Sequence, residues 1–330
     1  MKAVWYNTFG KAKDVLVHGE QEIMQPGKGE VLVKLLTSAV NPSDVKKRMG
    51  ASPTLLAQGF VTPNSDGAGV TDAIGEDVDA KRLGERVWVY NGQYQRRMGT
   101  SAEFITLPQE QAVFLPGETG FEAGACMGIP AMTAHRCIMA DGLVKDQFIL
   151  VTGGAGRVGH YAIQWAKHFG ARVIATAGSD LSRKQCEEAG ADFVVDHPSE
   201  SSNKAIMEYT KGRKLDRVVE GDFGANLPFL LEIMETNGVI ATYASSTVLE
   251  PKLPFYRMMY LDLCLRTVIV YAMPWQAKKD AIADITALLS TNVLKHRIAQ
   301  SYPLSESVLA HEAIERAGLF GCVVLETDKE

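Results

Sequence analysis

The sequence predicts an α/β protein in which a doubly wound parallel sheet is joined to a smaller all-β unit, and three observations predict it. The run Phe148-Ile-Leu-Val151 is short and wholly apolar, and Gly154, Gly156 and Gly159 follow it at once in G-x-G-x-x-G spacing. From about Glu122 onward, strand-like runs alternate with helix-length segments. Before that, the chain is a series of short strand-like pieces separated by Pro26, Gly27, Gly29, Pro42, Pro53, Pro63, Gly75 and Gly84.

The apolar run reads as a buried parallel strand. After it, Val158, Ala162, Ile163, Trp165, Ala166 and Phe169 fall along one stripe of a helix. Between strand and helix the backbone turns sharply and approaches a ligand, which glycine permits because it has no Cβ. The free N–H groups and the positive dipole end of the helix then face a pyrophosphate, so the turn residues Gly153, Gly154, Ala155, Gly156, Arg157, Val158 and Gly159 are cofactor-binding candidates.

Gly170 suits the end of that helix, and Arg172-Val-Ile-Ala-Thr176 is the second strand. An acid at the tip of this strand would accept bonds from the adenosine ribose of NAD and repel the 2′-phosphate of NADP. Here the tip is Ala177-Gly178-Ser179, followed by Ser182, Arg183 and Lys184, a pattern that favours NADPH. Arg183 and Lys184 read equally as solvated helix charges, and Asp180 reads as the cap of the next helix.

Further strands are expected at Phe193–Asp196, Arg217–Glu220, Gly238–Tyr243 and Leu265–Tyr271. A helix from about Trp275 to Leu289 follows, and a last strand, Gly321–Glu326, returns to the β unit. In that unit the expected strands are Val31–Leu36, Gly67–Val70, Glu85–Tyr90 and Ala102–Thr106. The expected division is residues 1–122 for the β unit, 123–265 for the nucleotide-binding unit, and 266–330 for the sixth parallel strand and the return.

Composition narrows the function classes. A chain of 330 residues exceeds one ordinary core, and 46% hydrophobic content is that of a globular protein. A net charge of −5 gives no basic field, so nucleic acid is not the expected partner. No apolar run approaches the ~18 residues of a membrane span, and Met1-Lys-Ala-Val-Trp-Tyr6 reads as a strand rather than a leader; a cytoplasmic protein is expected. The five cysteines are an odd number without a C-x-x-C pair, indicating neither a disulfide framework nor a zinc knuckle.

Asn41-Pro-Ser-Asp44, Asn64-Ser-Asp-Gly-Ala-Gly69, Gly84-Glu-Arg-Val87, Gly128-Ile-Pro-Ala-Met-Thr-Ala134, the glycine motif and His311-Glu-Ala-Ile-Glu315 occur in that order. With these, nearly the whole chain resembles the zinc-free medium-chain dehydrogenases/reductases of the NADPH:quinone oxidoreductase (zeta-crystallin-like) group. The resemblance implies a GroES-like β domain built from both termini and an inserted Rossmann domain. Zinc relatives carry a cysteine ligand, a Gly-His-Glu motif and a four-cysteine lobe; here the matching positions read Asn41–Asp44 and Asn64–Asp66, and the lobe is absent. No metal is therefore expected. Without a Lewis acid to polarise a simple ketone, an acceptor that is already electrophilic, a quinone or an enone, suits the site.

By this resemblance the nicotinamide lies in the interdomain cleft and its C4 hydride passes to the acceptor. Asn41 stands beside both, Thr133 packs on the nicotinamide, and His197 lies near the 2′-phosphate. Tyr243, Val270 and Tyr271 complete the cofactor-binding set. Asp44 and Asp66 occupy the place of the vanished metal, as catalytic groups or as structural ones that cap a helix or pair with Arg48 or Arg86. Lys46, where a tyrosine is usual, either enters the cleft as a proton donor or is a surface charge. Tyr90 and Tyr94 suit stacking on a flat acceptor, and Phe255 and Tyr256 can close the pocket or pack for structure alone. The β-branched strand Leu265–Tyr271 implies pairing with a second copy in a homodimer. The leading expectation is an NADPH-dependent quinone reductase. The alternatives are a reductase of α,β-unsaturated carbonyls and a non-catalytic NADPH-binding protein.

Overall fold

The computed structural model describes residues 1–316 and 318–327. The chain divides into two compact units, Pro130–Ala281 and Met1–Ile129 with Ile282–Glu330. The change of unit falls inside the helix Trp275–Ser290, later than the 265/266 boundary read from the sequence, because the sixth parallel strand stays with its sheet.

The first unit is a six-stranded sheet in the order Phe193–Val195, Arg172–Thr176, Phe148–Val151, Leu215–Glu220, Met234–Thr242, Cys264–Thr267. All its pairings are parallel. Every residue of Phe148–Val151 is buried, as a central strand covered on both faces requires. The following helix, Arg157–His168, buries Ala162, Ile163, Trp165 and Ala166 along the expected stripe. Leu150, Ile174, Val218 and Ile240 of four strands pack with Phe223, Leu227, Leu230 and Leu231 of the helix Phe223–Ile233 to form the main core.

Two local expectations are corrected. Ser179, not Asp180, caps the helix Asp180–Glu188; Ser179 Oγ accepts from Ser182 N at 3.2 Å, and Ser179 N donates to Ser182 Oγ at 2.9 Å. The strand expected over Leu265–Tyr271 ends at Thr267. Val268 N still reaches Thr242 O, the last carbonyl the neighbouring strand offers, at 2.7 Å. Beyond it the backbone satisfies itself locally, in the 3-10 turn Val270–Ala272.

The second unit is built on the long strand Glu30–Val40. It pairs antiparallel with Asp66–Ile74 along one edge, and with Phe104–Pro108 and then Cys322–Glu326 along the other. The C-terminal strand thus returns to the β unit as the sequence indicates. Three strands went unread in the sequence: Val17–Glu20, which pairs antiparallel with Lys2–Trp5, Ala112–Phe114, which pairs with Arg86–Val89, and Ile298–Pro303, which pairs parallel with Cys322–Glu326. Val31, Val33 and Leu35 alternate inward against Val87, Val89, Ile105 and Leu107. Asp66–Ile74 and Arg86–Val89 run into the loops that carry the polar cluster described below.

His311, on the helix Ser307–Glu315, is fully buried with neither ring nitrogen hydrogen-bonded. Burial, with the Arg48 charge adding to it, pushes its pKa down to about 3. Because the folded-state value lies below the ordinary 6.5, its contribution to stability is complete above that pH and is lost as pH falls toward 3. We expect His311→Leu to flatten this acid limb, so that wild type loses melting temperature relative to the variant as pH drops below 6.5; parallel curves would refute it.

Candidate active site

At the carboxyl ends of the parallel strands lies a cavity of about 440 Å³, walled by Thr152, Gly153, Thr176, His197, Asp222 and Tyr243. The glycine turn forms one side. Gly153 takes φ 59, and its N–H donates to Thr176 Oγ1 at 2.9 Å, while Gly154 N donates to Thr176 O at 3.1 Å, so the turn is stitched to the tip of the next strand. A β-carbon on Gly154 would meet Cys186 Sγ, Ala175 and Ile163 at 2.8–3.0 Å, and one on Gly159 would overlap the Gly153 carbonyl. The turn therefore closes only with glycine, and Gly153, at its start, lines the cavity.

At the strand tip, the His197 ring lies where a β-carbon on Gly178 would be. Gly178, Ser179 and His197 are all exposed, as a site for a charged phosphate requires. Ser182 is buried and its hydroxyl is spent on the cap with Ser179. Arg183 binds Asp196 at 2.7 Å and Val194 O at 2.5 Å, and Lys184 lies 3.9 Å from Glu188. Tyr243 is half-buried with its phenol beside Gly221, and burial pushes its pKa up. Thr133 is buried in the helix Met132–Met139, and Val270 and Tyr271 are buried in their 3-10 turn.

Two acids at this end of the sheet, Asp222 on the cavity wall and Glu220 behind it in sequence, were not singled out from the sequence. Glu220 is fully buried at a strand end, where its Oε1 accepts from Asp222 N and from Asn226 Nδ2; burial raises its pKa. Asp222 accepts from Ser246 N at 2.8 Å, Thr247 N at 3.0 Å and the Thr247 hydroxyl. These bonds outweigh its partial burial and lower its pKa. Asp222 thereby fixes the 245–247 loop at the cavity wall. Its position just before the helix Phe223–Ile233 was the available signal.

In the other unit, a polar cluster forms around Asn41, the residue preceding the short helix Pro42–Lys46. Asn41 N donates to Asp44 Oδ2 at 2.9 Å, and Asn41 Nδ2 donates to Asp66 Oδ2 at 2.9 Å. Asp66 Oδ2 also accepts from Ile129 N at 2.8 Å, while its Oδ1 is buried without a partner. Burial drives the Asp66 pKa well above 3.8, with the Asp44 charge adding to it and the bonds from Ile129 and Asn41 opposing it. Burial likewise raises Asp44 against the opposing charge of Lys47, and lowers Lys47 against the attraction of both carboxylates.

The lysine that enters this cluster is Lys47, not Lys46. Lys46 is exposed, whereas Lys47 Nζ donates to Gln93 O at 2.8 Å, to Gln93 Oε1 at 3.0 Å and to Ser65 Oγ at 3.4 Å, with Asp44 Oδ1 at 4.0 Å. Successive residues on a helix point about 100° apart, so neighbours cannot share a face. Neither Arg48 nor Arg86 pairs with the two aspartates. Arg48 is buried against Glu315 and Gly10 O, and Arg86 binds Gly117 O and Thr119 O.

The aromatic candidates differ in burial. Tyr90 is 2% exposed and packs at a tilt against Trp88 with ring centroids 5.8 Å apart, so it belongs to the interior; burial and the Glu110 charge push its phenol up to about 12. Tyr94 is half-buried. Phe255 and Tyr256 are exposed and touch each other edge to face at 5.5 Å. Neither lines the apolar cavity of about 470 Å³ beside them, between Leu227, Leu231, Val248 and Pro254.

Residues 27–117 match the alcohol dehydrogenase GroES-like domain, and residues 158–287 match the zinc-binding dehydrogenase domain. A chloroplastic quinone-oxidoreductase homolog of Spinacia oleracea is 32% identical to this chain, covering 99% of it and 98% of the relative. The Homo sapiens quinone oxidoreductase is 27% identical, covering 98% and 97%. A mycobacterial protein solved as a complex with NADPH superposes with TM-score 0.87 at 26% identity, covering 99% of this chain and 100% of that one. The chain belongs to the quinone oxidoreductase family of medium-chain dehydrogenases/reductases.

It is an oxidoreductase with a GroES-like domain and a Rossmann domain. As a family member with a zinc-binding relative in one of its domains, it calls for a test of the metal position. The cluster does not suit zinc: Asn41 is bonded to Asp66, whose Oδ2 already accepts two bonds, and the Lys47 ammonium stands 4.0 Å from Asp44 Oδ1. Among the described residues no group of three or more His, Cys, Asp or Glu is placed to hold a metal ion.

Asp66 gives the site a testable pH signature. Its folded-state pKa lies above 3.8, so its contribution to stability is complete below that value and is lost as pH rises through the folded-state pKa. Asp66→Asn keeps an oxygen at the Oδ2 position for both bonds and cannot ionise. The variant should gain melting temperature relative to wild type as pH is raised from 3.8 toward neutrality; a pH-independent difference would show that Asp66 carries no buried charge.

Proposed function

We propose that the protein is an NADPH-dependent quinone oxidoreductase working without a metal ion. The observation that carries this reading is the Asn41 cluster: hydrogen-bonded carboxylates and an ammonium stand where a Lewis acid would have to sit to polarise an unactivated carbonyl. A quinone needs no such activation. The overall change is quinone plus NADPH plus a proton giving hydroquinone and NADP⁺, and the reduced nicotinamide supplies the hydride when bound.

The Rossmann unit offers a fitting cradle for the cofactor. The glycine turn from Gly153 to Gly159 and the N-terminus of the Arg157–His168 helix would take the pyrophosphate. Gly178, Ser179, His197 and Arg183 would hold the 2′-phosphate, with no carboxylate at the strand tip to repel it. Ser182 would act through its bonds to Ser179. Thr133, Tyr243, Val270 and Tyr271 would flank the nicotinamide half. The NADPH complex of the mycobacterial relative supports this cofactor.

On the acceptor side, an amide nitrogen carries two protons. Asn41 gives one to Asp66 and has the other for the oxygen on which negative charge develops, and Asp66 keeps that amide from turning. Asp44 holds the helix start beneath it through Asn41 N. The names of the relatives support a quinone as acceptor. A second copy pairing along the edge strand Cys264–Thr267, beside exposed Ile269, would complete a homodimer.

Turnover is tested by following loss of reduced nicotinamide with NADPH and NADH against quinones and 2-alkenals. Quinone turnover with NADPH ahead of NADH is expected, and alkenal turnover without quinone turnover would replace this reading by an enone reductase. Asn41→Ala should lower kcat by about 10²-fold, the usual cost of one oxyanion donor, with NADPH binding unchanged. Gly178→Ala, which displaces the His197 ring, should weaken NADPH by roughly tenfold, about 1.4 kcal/mol, and leave NADH untouched. Equal losses for the two cofactors would remove His197 from the phosphate site.

A further inference from the structure

Lys47 spends its hydrogen-bonding capacity in an unusual direction. An ammonium withdrawn from water is costly unless its protons are placed on acceptors. Here two go to one residue, the backbone and side-chain oxygens of Gln93. Gln93 is itself buried, and its Nε2 donates to Arg96 O at 2.7 Å, while Gly92 N donates to Ser65 O at 2.7 Å. The segment from Asn91 to Gly99 has no helix or strand of its own. Its middle is held by side-chain bonds from Lys47, the residue directly after the helix that Asn41 begins, together with Thr62 N to Arg97 O and Arg96 Nη2 to Gln111 Oε1, each at 2.8 Å.

We propose that Lys47 is a positioning residue that sets acceptor selectivity by clamping the 91–99 loop to the start of the Asn41 helix. This rests on the quinone-reductase reading of the same site. The clamp joins the residue that receives the developing charge to the loop bearing the half-buried Tyr94, and so fixes the space an acceptor ring can use. The charge of Lys47 also stands 4.0 Å from Asp44, the carboxylate that holds Asn41 N. Loss of the ammonium thus frees both Gln93 oxygens and leaves Asp44 without its cation; Gln93→Leu removes the side-chain bonds of Gln93 but keeps the Lys47 bond to Gln93 O, so it loosens the loop and spares Asp44.

That difference makes the experiment. Lys47→Met and Gln93→Leu, singly and together, are compared with wild type for kcat/KM on benzoquinone and on phenanthrenequinone, or on a short and a long 2-alkenal if wild type turns over only alkenals. Amide hydrogen exchange is recorded on the same proteins. Both single variants should shift the large-to-small acceptor ratio in the same direction by on the order of tenfold, and the double variant by no more than Lys47→Met alone, as for two ends of one contact. Exchange should quicken in residues 91–99 and stay unchanged in residues 148–176, and Lys47→Arg should restore the ratio. Equal losses on both acceptors, additive effects of the two changes, or wild-type exchange in the loop of Gln93→Leu would overturn the proposal. Absence of quinone turnover in wild type overturns the quinone reading instead, and loop exchange with the alkenal ratio still decides the clamp.

Discussion

The close approach of backbone to backbone at Gly154 and Gly159 is the constraint on which the parallel-sheet unit depends. A strand buried on both faces must hand over to its helix within a few residues, and the helix must lie close against the sheet. Any side chain at Gly154 would drive into Cys186, Ala175 and Ile163, which belong to the neighbouring helix, the neighbouring strand and the following helix. The first strand's place in the middle of the sheet, with Arg172–Thr176 on one side and Leu215–Glu220 on the other, follows from that packing.

The β unit is governed by a different constraint, the handling of charge away from water. Asp44, Asp66 and Lys47 would each be costly there alone. Together with Asn41, Ser65, Gln93 and Ile129 N they form a network in which most polar atoms have a partner and the net charge is small. Such a network is rigid because every member is held by others. The two units are thus organised differently, one by backbone geometry at a glycine turn and the other by buried, mutually bonded side chains.

Sequence reading succeeded where the signal is local. The glycine turn, the wholly apolar first strand, the stripe on Arg157–His168 and the missing acid after Thr176 are all set by neighbours in the chain, and the structure keeps each of them. It failed at Ile298–Pro303, which has no alternation of apolar and polar residues and is a strand only because Cys322–Glu326 pairs with it. Leu265–Tyr271 erred the other way: β-branched residues promised a full strand, and the partner's last carbonyl at Thr242 ended it.

By itself, then, the sequence determined the fold class, the succession of the parallel strands along the chain, the glycine turn and the family, since these rest on spacing and on backbone conformations that only certain residues accept. Tertiary structure alone decided which side chains meet. Lys47 rather than Lys46 joins the Asn41 cluster, Arg48 turns to Glu315, far along the chain, and Tyr90 sinks into the core against Trp88. The reason is physical. The cost of burying a charge or a ring depends on the partners waiting at its destination, and those partners come from segments that a local reading of the chain cannot bring together.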